Sequence, residues 1–323
     1  MPKPETVCRS LVLVLVLGAM ACTSDSTAPA GSDSTPAFAA ASGSQLDETL
    51  IQRNLNALNA RLAAQGAPYA IEQVELSLAP SADPASPIII FAFDRTIRLP
   101  SRWAPGDVRR AADGINVTFA NFIPLMIANG VTPAEASTDA AFATWSGVTC
   151  SKLPLVKRVL PGNVLPSAIL ALTGFVNDPF AADISTIGFL PGALFDAVIG
   201  PGASGSVLGA TFTLAFLESV GGPPSDIDHN NRLDTALKEI WYNDNFLWTT
   251  SGGAGVDIET VALHEEGHAL ELGHFGRVAG NVKIGKLIVS PRAVMNAFIL
   301  GALRQPLGTD NAAYCGNWAN WPN

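Results

Sequence analysis

Three of the four histidines in this 323-residue chain lie within one stretch of eleven residues. His264 and His268 are four residues apart, so on a helix both lie on one face and can bind one ion. His274 follows His268 by six residues, so on a straight helix its side chain would point away from the face that carries His264 and His268. The stretch therefore predicts a helix that ends soon after His268 and a bend that brings His274 back, with Gly273 available for the bend.

The ligand types in this stretch indicate a catalytic metal rather than a structural one. Three neutral imidazoles leave one position of a tetrahedral zinc site open, whereas structural zinc sites are closed by four protein ligands. Glu265 directly follows the first histidine, where a carboxylate can take a proton from a water activated by the metal. The alternative, surface histidines on an ordinary helix, is disfavoured because histidine is so scarce elsewhere. The expected cofactor is Zn²⁺.

The residues before His264 suit the start of a helix. Asp257 is a good N-cap, Glu259 suits the positive end of the helix dipole, and an apolar run follows. The three histidines are therefore expected on and just after a capped helix.

The first residues are typical of an export signal. Lys3 and Arg9 precede an apolar run at 11–17, which is far shorter than the roughly 20 residues of a membrane-spanning helix. Small residues before Cys22 resemble a bacterial lipoprotein signal, in which residues 1–21 are removed and Cys22 is lipidated. A plain cleaved secretory signal is the alternative. Both place the protein outside the cytoplasm, as an envelope lipoprotein or a secreted protein, and any membrane contact is expected only through the lipid anchor.

Composition divides the rest of the chain. Residues 22–44 are mainly Ser, Thr, Ala, Pro and Gly, which predicts a flexible tether. Residues 45–85 predict a helix at 46–64 and a strand at 69–78, which form either an N-terminal extension or a pro-segment. Residues 86–323 are long enough for the main domain.

Charge and cysteine usage limit the partners and the compartment. Without residues 1–21 the chain has 17 basic and 27 acidic residues, a net charge of −10, and no basic cluster, which argues against nucleic acid as a partner. Cys150 and Cys315 then remain besides Cys22. In an oxidising compartment they are able to form a disulfide, although two buried thiols are an equally open alternative.

Strands and helices alternate along the main domain. The predicted helices are 105–126 and 133–145, and the predicted strands are 88–93 with 96–99, 148–159, 183–190, 207–217 and 238–243. The fold class is therefore α/β or α+β.

A second candidate metal site lies in an acidic segment. Asp226, Asp228, Asn230 and Asp234 place oxygen ligands at alternate positions, as in the first half of a calcium loop. The position of the bidentate Glu in such a loop is taken by Leu237, so calcium and a solvated acidic turn both remain open.

Met295 completes a family pattern, because it follows His274 by 21 residues. The chain resembles the matrixin-like metzincins, which are extracellular zinc endopeptidases, over roughly 86–323. Their pattern is H-E-x-x-H-x-x-G-x-x-H followed by a methionine turn. The resemblance implies that His264, His268 and His274 bind zinc, that Glu265 is the general base, and that Met295 is the methionine of the turn.

The resemblance also implies a fold and an activity. The fold is a twisted mixed sheet with an active-site helix and a mostly irregular C-terminal subdomain that ends in a short helix, near 309–314. The glycine-rich segment 200–205 resembles the lead into the family's edge strand. Backbone groups of Leu208, Gly209 and Ala210 would there dock an extended peptide by strand addition. The expected protein is a monomeric peptidase acting on extracellular proteins or peptides; a surface-anchored binding protein that retains the zinc fold without turnover is the alternative.

The chain departs from the family pattern at the bend. Glu271 stands where the family has Gly, and a positive φ at a non-glycine residue costs about 1 kcal/mol or slightly more. A bend shifted to Gly273 would avoid that cost. Only His229 remains outside the motif, so no second, structural zinc is expected, and no cysteine-switch segment occurs in 45–85.

Overall fold

The computed structural model describes residues 48–80, 98–111, 113–120, 134–161, 166–172, 179–250, 254–281 and 286–322. The export signal at 1–21, Cys22, the tether at 22–44 and the strand expected at 88–93 lie outside the described residues.

A mixed sheet of seven strands forms the centre of the fold. Its main path runs β1–β6–β7–β5–β3–β4, and β2 pairs with β7. The strands are β1 (Tyr69–Leu78), β2 (Ser101–Arg102), β3 (Val117–Ala120), β4 (Leu155–Arg158), β5 (Ile184–Leu190), β6 (Val207–Phe216) and β7 (Leu233–Asn243). The pairs β1–β6 and β6–β7 are antiparallel, whereas β7–β5, β5–β3, β3–β4 and β2–β7 are parallel. The mixed α/β class expected from the sequence is thereby confirmed.

Helices cover both faces of this sheet. Neighbouring residues of a strand point to opposite faces. In β7, Ile240 and Tyr242 belong to one apolar core, and Leu237 and Trp241 to another. The first core includes residues of α2 (Ala134–Ser146), α6 (Ile258–Ala269) and α7 (Gly308–Trp318). The second includes residues of α1 (Glu48–Ala64), α3 (Ala168–Ala171) and α4 (Gly192–Val198). This double coverage explains why β5 and β6 are buried along their whole length.

The remaining elements are short. They are α5 (Ala203–Ser206), a 3₁₀ turn at Pro179–Ala181, and the strand pairs β8 (Trp248–Thr249) with β9 (Val256–Asp257) and β10 (Arg277–Asn281) with β11 (Lys286–Ser290). After α6, the residues that the structure describes thus form the antiparallel pair β10–β11, turns and the helix α7. Among the described helices, none combines the length and apolar character needed to cross a bilayer.

The N-terminal segment is part of the central sheet. The predicted helix at 46–64 and strand at 69–78 are confirmed as α1 and β1. β1 pairs with β6 along its length, and Ile51, Leu55 and Leu62 of α1 are buried in the second core. Asn59 ties the two elements together, since its side chain accepts from Ile71 N and donates to Ile71 O.

The helix expected at 105–126 is wrong over its described part, which forms turns followed by β3. Gly106 and Gly114 have φ of 73° and 74°, a conformation that a helix does not contain. Buried Arg110 holds the turns together, because its guanidinium donates to the carbonyls of Ala104, Gly114 and Asn116. It also pairs with Asp183, at the start of β5.

The other predicted elements differ mainly in their ends. The helix at 133–145 is confirmed as α2, and the strands at 183–190 and 207–217 are confirmed as β5 and β6. The strand at 148–159 is limited to β4, after Pro154, whereas the one at 238–243 extends back to Leu233. Cys150 and Cys315 form a disulfide, with Cα atoms 5.7 Å apart, that joins the loop after α2 to α7.

Candidate metal centre

Helix α6 carries the first two histidines and begins at the predicted cap. Asp257 has an extended backbone, and its side chain accepts a hydrogen bond from Thr260 N at 2.9 Å. Arg304 pairs with the same carboxylate, which holds the pKa of Asp257 below its usual range against the opposing effect of burial. The helix ends at Ala269, one residue after His268.

The three histidines converge through their Nε2 atoms. His268 Nε2 lies 3.0 Å from His264 Nε2 and 3.2 Å from His274 Nε2. Ligands of a tetrahedral zinc, each at about 2.0–2.1 Å, are separated by roughly 3.3 Å. The spacing of these nitrogens therefore fits one small cation.

The opposite ring nitrogens determine which atoms are left to bind a metal. His264 Nδ1 lies 2.7 Å from Val294 O, and His268 Nδ1 lies 2.7 Å from Leu272 O. A carbonyl only accepts, so each Nδ1 carries the hydrogen and each Nε2 presents a lone pair. Convergent lone pairs repel one another unless a cation lies between them. Backbone carbonyls that hold Nδ1–H are also what metal-binding histidines commonly use for orientation.

Burial keeps the cluster neutral. His264 and His268 are fully buried, and the side chain of His274 is only 8% exposed. Desolvation lowers the pKa of His264 to about 4 and lowers the pKa of His268 and His274 well below the usual value. Neutral imidazole is the form that binds a metal. The residues present therefore fit a metal ion.

Met295 packs directly against helix α6. A Cβ added to Gly267 would lie 2.3 Å from Met295 Sδ, so only glycine leaves room for the methionine there. The turn around Met295 is tied to the chain after the third histidine, since Phe275 N donates to Met295 O at 2.7 Å. Met295 therefore packs against α6 at Gly267, one residue before His268.

Asp310, in the first turn of α7, holds the same turn from the other side. Its carboxylate accepts from Val294 N at 2.9 Å and from Met295 N at 3.1 Å. Val294 O is in turn the acceptor for His264 Nδ1. A continuous set of contacts thus joins the C-terminal helix to the first histidine.

The bend before His274 lies at Glu271 itself. Glu271 has φ of 67°, and Gly273 does not adopt a positive φ. The Glu271 carboxylate accepts hydrogen bonds from three buried side chains: Lys238 Nζ at 2.8 Å, Ser101 Oγ at 2.7 Å and Thr235 Oγ1 at 2.6 Å. A glycine would fit the backbone more easily but would lose these contacts, which offset the cost of the positive φ.

Lys238 links the Glu271 carboxylate to helix α6. Its ammonium group also donates to His268 O at 2.8 Å, at the end of α6. Burial lowers the pKa of Lys238, and the adjacent Glu271 carboxylate opposes that shift. The ion pair therefore joins strand β7, the bend and the second histidine.

Glu265 lies in a closed environment between β6 and β1. Its Oε2 accepts from Thr211 Oγ1 at 2.7 Å, and its Oε1 accepts from Ser77 Oγ. A Cβ added to Gly209 would lie 2.7 Å from Oε1, so the carboxylate fills the space that this glycine leaves. Burial raises the pKa of Glu265 to about 8, and hydrogen bonds from Ser77 and Thr211 oppose the shift. A dication at the histidines would lower it further.

The open sheet edge expected at β6 is not present in this structure. β6 has β7 on one side and β1 on the other, with Leu76 opposite Ala210 and Ser77 opposite Gly209. The position at which an incoming peptide would pair is therefore already filled by the chain's own strand. Docking of substrate at Leu208, Gly209 and Ala210 stays a prediction.

The acidic segment brings Asp226, Asp228 and Asp234 together, with one oxygen of each within 4.8 Å of the others. Asp226 accepts from the backbone of Asn230 and Asn231, and Asp234 Oδ2 accepts from Arg109, Ser225 and the backbone of Ile227. Asn230 Oδ1 accepts from Arg232 N. Calcium binding stays a prediction for this loop.

Several residues around the histidines were not found by sequence reasoning. Glu75, Ser77, Lys238 and Asp310 are each far from the motif in the chain, and none has a spacing that marks it. For Asp310 a signal existed, because it lies in the segment that resembles the family's last helix. The other three depend on strand pairing, which the sequence did not reveal.

No model of a known protein family matches this chain, and a search of curated proteins finds no relative. The candidate metal centre therefore rests on the geometry of its own residues.

Proposed function

We propose that the protein is a zinc-dependent endopeptidase of the metzincin type that acts on extracellular proteins or peptides. The observation that carries this proposal is the convergence of three Nε2 atoms in a buried cluster, in which the carbonyls bound by Nδ1 of His264 and His268 leave the Nε2 lone pairs of these two residues available. Glu265, one residue after the first of them, supplies a carboxylate on the same helix. A histidine-only set of three ligands is typical of a zinc that performs chemistry.

The residues divide the reaction between them. When bound, zinc supplies a Lewis acid that polarises the scissile carbonyl and acidifies a water. Glu265 takes the proton of the attacking water and delivers it to the leaving amine. Backbone groups of β6 around Gly209 align the peptide as an added strand.

Features outside the ligands support the metzincin assignment. Met295 packs against Gly267 beneath the site, and the chain bends at Glu271 to return His274. The seven strands of the central sheet precede helix α6 in the chain, and the β10–β11 pair, turns and helix α7 follow it. The proposal of a metzincin-type peptidase is based on these features together with the three histidines.

The proposed location is based on the first residues of the sequence and on the cysteines. We propose export to the cell envelope, with Cys22 as the lipidated residue, or secretion after removal of 1–21. The Cys150–Cys315 disulfide supports this, because disulfides persist in oxidising compartments outside the cytoplasm.

One observation favours a second candidate, a binding protein without turnover. β1 occupies the side of β6 that a substrate needs, and Ser77 bonds to the general base. A chain in which this arrangement is permanent would retain metal without hydrolysing peptides.

Casein digestion by the purified, zinc-loaded chain tests the main proposal. We expect digestion that stops with a chelator, and a Glu265→Gln variant that retains zinc but digests at least about a thousandfold more slowly, because the general base is lost. A Glu265→Gln variant as active as the parent would contradict the mechanism.

A further inference from the structure

Strand β1 lies in a groove with two rims. On one side it pairs antiparallel with β6, from Tyr69 opposite Phe216 to Leu78 opposite Val207. On the other side Leu78 N donates to Ala297 O at 2.8 Å, and Ile299 N donates to Leu78 O at 3.1 Å. The end of β1 therefore runs between β6 and the segment that follows Met295. An extended peptide bound by strand addition on β6 would need the same backbone groups.

The same strand covers the reacting groups with its side chains. Glu75 and Ser77 are two residues apart and so lie on one face of β1. Ser77 Oγ donates to Glu265 Oε1, and Glu75 Oε2 lies 3.1 Å from His274 Nδ1. Ser77 is fully buried and Glu75 nearly so. Both the general base and the third histidine are therefore in contact with β1 rather than with an open cleft.

Helix α1 holds β1 in the groove through packing and hydrogen bonds. It packs Ile51, Leu55 and Leu62 into the second core, on the sheet face away from α6. Its Asn59 makes two hydrogen bonds to the backbone of Ile71. No cysteine of this segment is involved, since 45–85 contains none.

Resting on the proposed function, we propose that α1 and β1 form an internal inhibitory segment. β1 takes the place of an extended peptide substrate on β6, and the site binds substrate only after β1 has moved out of the groove. This gives latency by strand occupancy, with Ser77 on the general base, and assigns 45–85 an inhibitory role rather than that of a passive extension.

A reversible lock on β1 tests the proposal. Gln73 and Thr213 are opposite each other across the β1–β6 pair, and opposite residues of antiparallel strands are close enough for a disulfide. In the zinc-loaded Gln73→Cys/Thr213→Cys chain, the probe is a peptide hydroxamate long enough to pair with Leu208, Gly209 and Ala210. We expect the oxidised chain to bind it at least about tenfold more weakly than the reduced chain, because the competent fraction falls. The wild-type chain, carried through the same reduction, controls for effects on Cys150–Cys315.

A second variant, which weakens the binding of β1 in the groove, should have the opposite effect. Leu78→Pro removes the N–H that donates to Ala297 O, and we expect tighter hydroxamate binding and faster casein digestion than in the wild type. Far-ultraviolet circular dichroism and zinc content establish that both variants are folded and loaded. Equal hydroxamate affinity of the locked and reduced chains would overturn the inference, whatever the activity. If Leu78→Pro binds zinc and hydroxamate tightly but digests nothing, the peptidase proposal fails while the inhibitory role of β1 stands.

Discussion

The two clusters of candidate metal ligands in the described residues differ in what their donor atoms already do. In the histidine cluster the Nδ1 atoms of His264 and His268 are held by carbonyls, which leaves the Nε2 lone pairs facing one another. In the acidic loop the oxygens of Asp226 and Asp234 already accept from backbone amides or from Arg109. Proximity of ligand residues is thus common to both, but convergent imidazole lone pairs are a property of the first, whereas Asp226 and Asp234 of the second are partly engaged by the protein's own donors. The first cluster is also supported by buried residues from β7, the methionine turn and α7.

The largest difference in stability is expected at the Glu271–Lys238 pair. Glu271→Ala leaves a buried, unpaired ammonium group and should cost about 3–5 kcal/mol of the free energy of unfolding, measured by denaturant titration. Asp228→Ala, in the exposed part of the acidic loop, should cost no more than about 0.5 kcal/mol.

A double variant checks the cause of that loss. Glu271→Ala/Lys238→Met removes the unpaired charge but keeps alanine at the positive φ of residue 271, so it should recover much of the stability lost in Glu271→Ala. A double variant as unstable as the single one would show that the buried charge is not responsible.

A buried carboxylate, Glu239 of β7, gives the sheet a pH response. Burial raises the pKa of Glu239 from 4.5 to about 7 in the folded chain. The folded state therefore holds this proton more tightly than the unfolded state, and stability falls as pH rises from about 4.5 to about 7. At about 1.4 kcal/mol per unit, the loss is up to about 3 kcal/mol.

Glu239→Gln is the matched variant for that response. Urea titrations of the zinc-free chain at intervals between pH 4.5 and 7.5 should show a shallower fall in the variant. An identical slope in the two chains would exclude Glu239 as a source of the pH dependence.

The contact between Gly267 and Met295 should be sensitive to a single methyl group. Gly267→Ala places a Cβ 2.3 Å from Met295 Sδ and should cost about 1–3 kcal/mol, with weaker zinc binding. Gly205→Ala is the control, because a Cβ there meets no heavy atom within 4 Å. Zinc affinity and thermal unfolding of both variants provide the measurement. Unchanged zinc affinity in Gly267→Ala would show that the contact between Gly267 and Met295 does not contribute to zinc binding.

Calcium is expected to give the smallest effect. Because both oxygens of Asp226 already accept from backbone amides of the loop, millimolar calcium should stabilise the chain by less than about 1 kcal/mol. A thermal scan with and without calcium measures this, and Asp226→Asn should not change the result. A large calcium shift that Asp226→Asn abolishes would make the two clusters equivalent as metal sites.

What could be predicted from the sequence was mainly local. The spacing of His264 and His268 and the Asp257 cap are properties of one helix, and α1 and β1 follow from short apolar patterns. The sequence identified Glu271 as the residue at a bend where a positive φ costs free energy. Lys238, whose ion pair with Glu271 offsets that cost, lies 33 residues away on β7.

The position of β1 could not be predicted for the same reason. A strand's apolar pattern indicates that it is buried, but not which strand it pairs with. β1 was found at its predicted residues, and only the structure shows that it occupies the edge expected for substrate. The helix expected at 105–126 failed because Arg110 and two glycines favour a turn that apolar spacing does not reveal.

Zinc content after dialysis against metal-free buffer tests the central claim most directly, with the wild-type chain compared with His274→Ala and Asp228→Ala. We expect one zinc per chain in the wild type and in Asp228→Ala, and loss of that zinc in His274→Ala, because the third nitrogen ligand is removed. Retention of zinc at wild-type affinity in His274→Ala would contradict it, as would loss of zinc in Asp228→Ala.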